Sequence, residues 1–200
     1  MFQSDVLKQV TKGYETGSKV HTVLTSFAET MLEPMIARYS LYPAKGTTIA
    51  HFAHNADQMM LTHILNGLFP TLTLVYEAQQ RKLVRLSRLE QEELKIYMLA
   101  YTMHDLDKIL GESLNTFTLK NTEAACKKVV SELETLNATA FFPDVQNWAS
   151  EILWLAVNTQ RSRDINLSHS TFVARESVQV TEEVLEGSRS DTISQPTVEH

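Results

Sequence analysis

One cysteine in 200 residues, Cys126, excludes an internal disulfide and any zinc cluster built on cysteine. A metal held by this chain would have to rest on histidine, carboxylate, amide or water, and Cys126 itself reads as a small buried hydrophobe. Long apolar runs are missing too. None approaches the roughly 18 residues of a membrane span, and the opening "MFQSDVLKQV" has neither the basic region nor the apolar stretch of a signal peptide. The expectation is a soluble intracellular, cytoplasmic chain with no membrane role. Sustained two-residue alternation is absent, which argues against a strand-built fold. No glycine-rich nucleotide loop occurs, so ATP use is not expected. No internal repeat is visible.

What is present is a core and an uneven charge. Hydrophobic residues make up 43%, enough for one domain with a packed interior. The net charge of −6 disfavours binding nucleic acid by phosphate neutralisation alone. Six acids (Glu176, Glu182, Glu183, Glu186, Asp191, Glu199) face Arg175 and Arg189 at the C-terminal end, a net of −4, leaving −2 for residues 1–174. Within that nearly neutral body, "RKLVRLSR" gathers Arg81, Lys82, Arg85 and Arg88, either a solvated face or a binding patch.

Apolar residues recur every three or four positions. Val20, Leu24, Phe27, Met31 and Met35 form one such series, and Met60, Ile64, Leu68, Leu72 and Val75 another. Val129, Leu133 and Leu136 follow, then Val145, Trp148, Ile152 and Leu155. These predict an all-α domain of about six to eight helices. Ser87 with Glu90 offers a capping box for the helix carrying "YTMHDLDKIL", Asn121 a cap for the next, and Pro143 a start for the Trp148 helix. Pro70 should bend a long helix beginning near Asp57, which can cap it. "YPAKGTT" and "LGESLNT" read as loops. Trp148 and Trp154 are expected in the core and at its rim. After residue 175 the chain is too polar to fold alone.

His104 and Asp105 stand side by side in an apolar run, where unpaired polar groups are costly to bury. Adjacent helical residues point about 100° apart, so the two converge only on something lying between them, and a divalent cation fits. Imidazole with carboxylate suits manganese, nickel, cobalt, iron or zinc, with one or two ions bound. Lys108, one turn past His104, either extends along that face toward a phosphate or is an exposed lysine. His63, in "QMMLTHILNGL", is a core histidine or a ligand; Asn66 and Gly67 follow one turn on, where a small residue lets backbones approach. His51 and His54 have a metal-like spacing but equally suit capping or solvent.

"MHDLDKI" resembles the "hHDxxK" signature of the HD superfamily of metal-dependent phosphohydrolases, with Asp107 where many members have glycine. The stretches "HNADQMMLTHILNG", "ELKIYMLAYTMHDLDKI" and "ILWLAVNTQ" resemble more narrowly the N-terminal HD nuclease domain of the large subunit of type I-D CRISPR interference complexes, over roughly residues 45 to 170.

The resemblance implies an HD domain over 1–175 and an acidic linker over 176–200, leading toward a palm region of the same polypeptide that is not in this sequence. It implies metal-assisted hydrolysis of a DNA phosphodiester, the strand being single or unwound by a helicase, with other CRISPR effector subunits as partners. His63, His104 and Asp105 would be metal ligands and Lys108 a catalytic cation. Many members end their ligand set with a late Asp; here Asn158 stands near that place, and His169, then Asp164, are the preferred candidates, His169 being otherwise a surface loop histidine. Two rivals remain open: an HD phosphohydrolase of nucleotides or other small phosphate esters, and a non-catalytic docking module.

Overall fold

The computed structural model describes residues 2–45, 58–83, 88–111 and 122–159. Helix follows helix: α1 (Phe2–Thr11), α2 (Lys19–Thr30), α3 (Leu32–Tyr39), α4 (Met60–Gln80), α5 (Gln91–Met103), the short α6 (Leu106–Leu110), α7 (Thr122–Thr135), the single turn α8 (Ala138–Phe141) and α9 (Ala149–Thr159). The one departure is a minimal antiparallel ribbon before α4, in which β1 (Pro43–Lys45) pairs with β2 (Gln58–Met59). Pro43 opens β1, so the start of the presumed "YPAKGTT" loop is strand.

The periodic apolar residues face inward as their spacing requires. On α2, Val20, Val23, Leu24 and Phe27 are fully buried, and α1, α3, α4, α5 and α8 all pack around this helix. Each such side chain removed from water contributes about 1.5–3 kcal/mol. The other pillar is α5, buried from Ile96 to Ala100 and clasped by α9, its most extensive neighbour. Trp148 is half-buried against the core and Trp154 is 45% exposed. Cys126 is only half-buried, with its sulfur 3.7 Å from Ser150 Oγ. Among the described residues no helix is long and apolar enough to cross a membrane.

Several boundaries differ from expectation. The capping box of α5 is made by Glu90 and Glu93, whose side chains exchange bonds with each other's backbone N–H; the helix starts at Gln91, three residues later than a Ser87 cap would allow. Ser87 lies outside the described residues, as do Asn121 and Asp57. Met59, not Asp57, is the N-cap of α4, and the Met60 N–H is satisfied by the Tyr42 carbonyl at 2.7 Å, so the ribbon does the work assigned to a side chain. Pro143 opens a run of turns instead of a helix. Val145 N–H bonds to Phe142 and Asn147 to Asp144, three-residue closures that delay α9 until Ala149. Helix α4 continues through Pro70. Nearby, Thr71 and Thr73 hydroxyls donate to the Gly67 and Phe69 carbonyls.

Candidate metal centre

His104 and Asp105 do not lie within a helix. Helix α5 ends at Met103, His104 is its C-cap, and Asp105 (φ −109°, ψ 20°) precedes α6. The Lys108 N–H bonds to the Asp105 carbonyl at 3.0 Å, starting the next turn. This break answers the geometric difficulty of adjacent ligands. On an unbroken helix the two side chains would splay about 100° apart; the kinked backbone lets both point to one place.

That place is also reached from α4. His63 Nε2 lies 3.0 Å from Asp105 Oδ2 and 3.2 Å from His104 Nε2, and His104 Nε2 lies 3.4 Å from Asp105 Oδ2. A cation with bonds of about 2.1 Å sets neighbouring donor atoms about 3.0 to 3.4 Å apart, depending on whether its geometry is octahedral or tetrahedral. All three sides of the triangle fall in that interval. Both His104 and Asp105 are buried, each 6% exposed, and His63 is half-buried.

Protonation favours ligation as well. His104 Nδ1 faces the Tyr101 carbonyl, which can only accept, so the ring's proton sits on Nδ1 and the Nε2 lone pair points into the triangle. Burial holds His104 below its ordinary pKa against the pull of Asp105, so this ring is neutral at neutral pH. For Asp105, burial works to raise the carboxyl; the hydrogen bond from His63, the electrostatic pull of the neighbouring His104 ring in the acid range where it protonates, and Lys108 outweigh it and hold the group well below the usual carboxylate range. A carboxylate and a neutral imidazole are the forms a cation needs.

Lys108 lies in the same cluster, with its ammonium hydrogen-bonded to Asp105 Oδ2. It reaches the carboxylate that it follows by one turn, instead of extending along the His104 face. The Asn158 amide, on α9, donates to the Trp154 carbonyl at 2.8 Å, inside its own helix. His169 and Asp164, the preferred candidates for a further ligand, lie outside the described residues, as do His51, His54 and Arg85. Arg81 and Lys82 are exposed at the end of α4, Arg81 pairing loosely with Glu77 at 3.8 Å, and Arg88 is exposed.

Two residues escaped the sequence reading in their roles. Tyr101 lays its ring beside that of His104, centroids 4.6 Å apart and planes at 35°, besides offering it a carbonyl. Gly67 does permit a close approach, but to the Tyr101 phenol and not to a backbone. The available signal was spacing: Tyr101 stands three residues before His104, and Gly67 four after His63.

No family model, no curated protein and no solved structure matches the chain.

Proposed function

We propose that this chain is a metal-dependent phosphodiesterase with the helical bundle of the HD superfamily, and that its substrate is DNA, single-stranded or unwound, in CRISPR interference of type I-D. The observation that carries the metal reading is the triangle of His63 Nε2, His104 Nε2 and Asp105 Oδ2, with sides of 3.0, 3.2 and 3.4 Å. The "MHDLDKI" and "HNADQMMLTHILNG" stretches carry the narrower family likeness.

His63, His104 and Asp105 would hold a divalent transition ion, manganese, nickel, cobalt, iron or zinc, and a second ion would need ligands beyond these. Such an ion supplies an acidified water and neutralises phosphoryl oxygens. The chain's own residues set the terms. Tyr101 fixes the His104 tautomer, burial keeps that ring neutral, and Asp105 brings the one permanent negative charge. Lys108, held on Asp105, keeps a second cation beside the trio that would face a phosphate oxygen. His169 is the proposed further ligand. The nearly neutral body fits weak intrinsic DNA affinity, with other effector subunits and a helicase delivering the strand.

The Lys108–Asp105 pair also favours a second reading: a polar cluster that satisfies itself, in a module that docks and does not cut. One experiment separates them. The purified chain should retain close to stoichiometric transition metal and cleave single-stranded DNA with manganese or nickel. A metal-free chain that neither takes up these ions nor cuts DNA would sink the nuclease reading, and hydrolysis of nucleotides without DNA cleavage would move it to the small phosphate esters.

A further inference from the structure

Gly67 lies one turn beyond His63 on α4, and the space of its missing side chain is filled by the phenol of Tyr101. A Cβ at Gly67 would come 1.7 Å from Tyr101 Oη, 2.2 Å from Cζ and 2.6 Å from Cε1. Even a methyl group therefore cannot fit unless the ring moves. The ring is held on its other contacts: its centroid is 4.6 Å from that of His104 and 5.9 Å from that of Tyr97, and the Tyr101 backbone carbonyl accepts from His104 Nδ1.

The two pairs form successive rungs between the same helices. His63 meets His104 at 3.2 Å, and one turn away Gly67 meets Tyr101; forward along α4 matches backward along α5. The Tyr101 ring touches Gly67 and lies beside the His104 imidazole, so a displacement of the ring bears on the first rung.

We propose that the Gly67–Tyr101 contact is a positioning element that sets the separation of the His63 and His104 imidazoles, and with it the closure of the triangle on a small divalent transition ion. The assignment rests on the metal reading for its consequence but not for its geometry. Tyr101 acts through His104 and is not itself a ligand.

The test uses the full chain with Gly67→Ala, Tyr101→Phe and Tyr101→Leu. Nitrogen-15 spectra of the histidine rings are recorded without metal, then cobalt(II) is titrated in and its visible spectrum followed. Gly67→Ala should shift the His63 and His104 ring signals and weaken cobalt binding by about 10- to 100-fold, the usual effect of losing a supporting partner. Tyr101→Leu leaves Gly67 unclashed but removes the stacked ring, and should weaken binding comparably. Tyr101→Phe keeps the ring but removes the Oη that comes nearest Gly67, and should move both readouts less than Tyr101→Leu does.

If Gly67→Ala fails to fold, Tyr101→Leu and the Gly67→Ala/Tyr101→Leu double variant decide the matter, because the smaller side chain makes room for the added methyl. A folded Gly67→Ala or Tyr101→Leu with wild-type ring signals and wild-type cobalt affinity overturns the proposal. A wild-type chain that binds no cobalt sinks the metal reading separately. The metal-free ring signals then still decide whether the contact positions the two histidines.

Discussion

Asp105 and Glu132 are the buried carboxylates among the described residues, 6% and 7% exposed, and they are satisfied in opposite ways. Glu132, on α7, receives Arg38 as a fork, Nε to Oε1 and Nη2 to Oε2, each at 3.1 Å, and the Tyr39 hydroxyl at 3.0 Å. Those donors are permanent. A guanidinium does not lose its charge, and burial raises the Tyr39 phenol far above its ordinary pKa, so it keeps its proton. Asp105 meets His63, His104 and Lys108 at Oδ2, and two of these three are imidazoles, whose ring nitrogens can turn a lone pair to a cation. Donors that cannot change make a clasp between α3 and α7; donors that can change make a site.

Matched isosteric substitutions should break the comparison most sharply. Asp105→Asn keeps the shape but removes the one anionic ligand, so metal-dependent DNA cleavage should fall to background while the far-ultraviolet spectrum stays helical. Glu132→Gln should leave cleavage and metal content unchanged. Equal loss in both variants would mean that cleavage reports folding and not the trio. Replacing His104 and Asp105 together with Ala should likewise abolish cleavage.

Metal should stabilise only one of the two clusters. An ion present at 100 times its dissociation constant adds about 2.7 kcal/mol to a folded state that alone binds it. Thermal melts with and without manganese should therefore separate for the wild type and for Glu132→Gln, and coincide for Asp105→Asn. A manganese-induced shift that survives in Asp105→Asn would place the ion elsewhere. His63→Ala should need more metal for the same shift and recover activity in part with excess manganese or nickel.

Without metal both carboxylates should support the fold. Glu132→Gln turns a charged fork into a weaker neutral contact and leaves Arg38 less well matched, which should cost about 1–3 kcal/mol in denaturant melts. The lower part of that range is expected, because the Arg38 side chain is 38% exposed and water compensates it. Asp105→Asn should cost stability as well, since its neighbours outweigh the burial that opposes the charge and hold the carboxylate form in the fold. A larger loss for Asp105→Asn would make its cluster the main structural clasp.

How much of this was readable follows from how local each feature is. The helices were legible because their apolar residues repeat along the chain, and His104 and Asp105 stood out because each is a polar group in an apolar run, while His63 was singled out by the family resemblance. The turn separating α5 from α6 was not legible, because "YTMHDLDKIL" carries neither proline nor glycine; the next glycine is Gly111, where α6 ends in the left-handed region at φ 67°. The capping box is Glu90 with Glu93 and not Ser87 with Glu90, because two glutamates three apart can make the same reciprocal bonds. The Arg38–Glu132 fork and the Gly67–Tyr101 contact join residues far apart in the chain, and no spacing rule pairs them.

The smallest expected effect is a difference in which end of the pH scale loosens each cluster. His104 and Asp105 both have lowered pKa values in the fold, against ordinary values of 6.5 and 3.8. The unfolded chain therefore takes up protons before the native site does, and stability present at neutral pH is lost as pH falls, first below about 6.5 through His104 and then below about 3.8 through Asp105. Tyr39 is raised from 10.0, chiefly by burial and then by the Glu132 charge, so its contribution is present below pH 10 and lost as pH rises above it. Each group can tilt the curve by at most about 1.4 kcal/mol per pH unit. Melts of the metal-free chain across pH should show His104→Gln flattening the decline just below pH 6.5 while sparing the alkaline side. Tyr39→Phe should soften the alkaline decline and spare the acid side, with Tyr97 and Tyr101, both also raised by burial, contributing to the alkaline sensitivity that remains. If Tyr39→Phe instead altered the acid limb, the two clusters would be coupled through α5, and the division between clasp and site would have to be redrawn as one network.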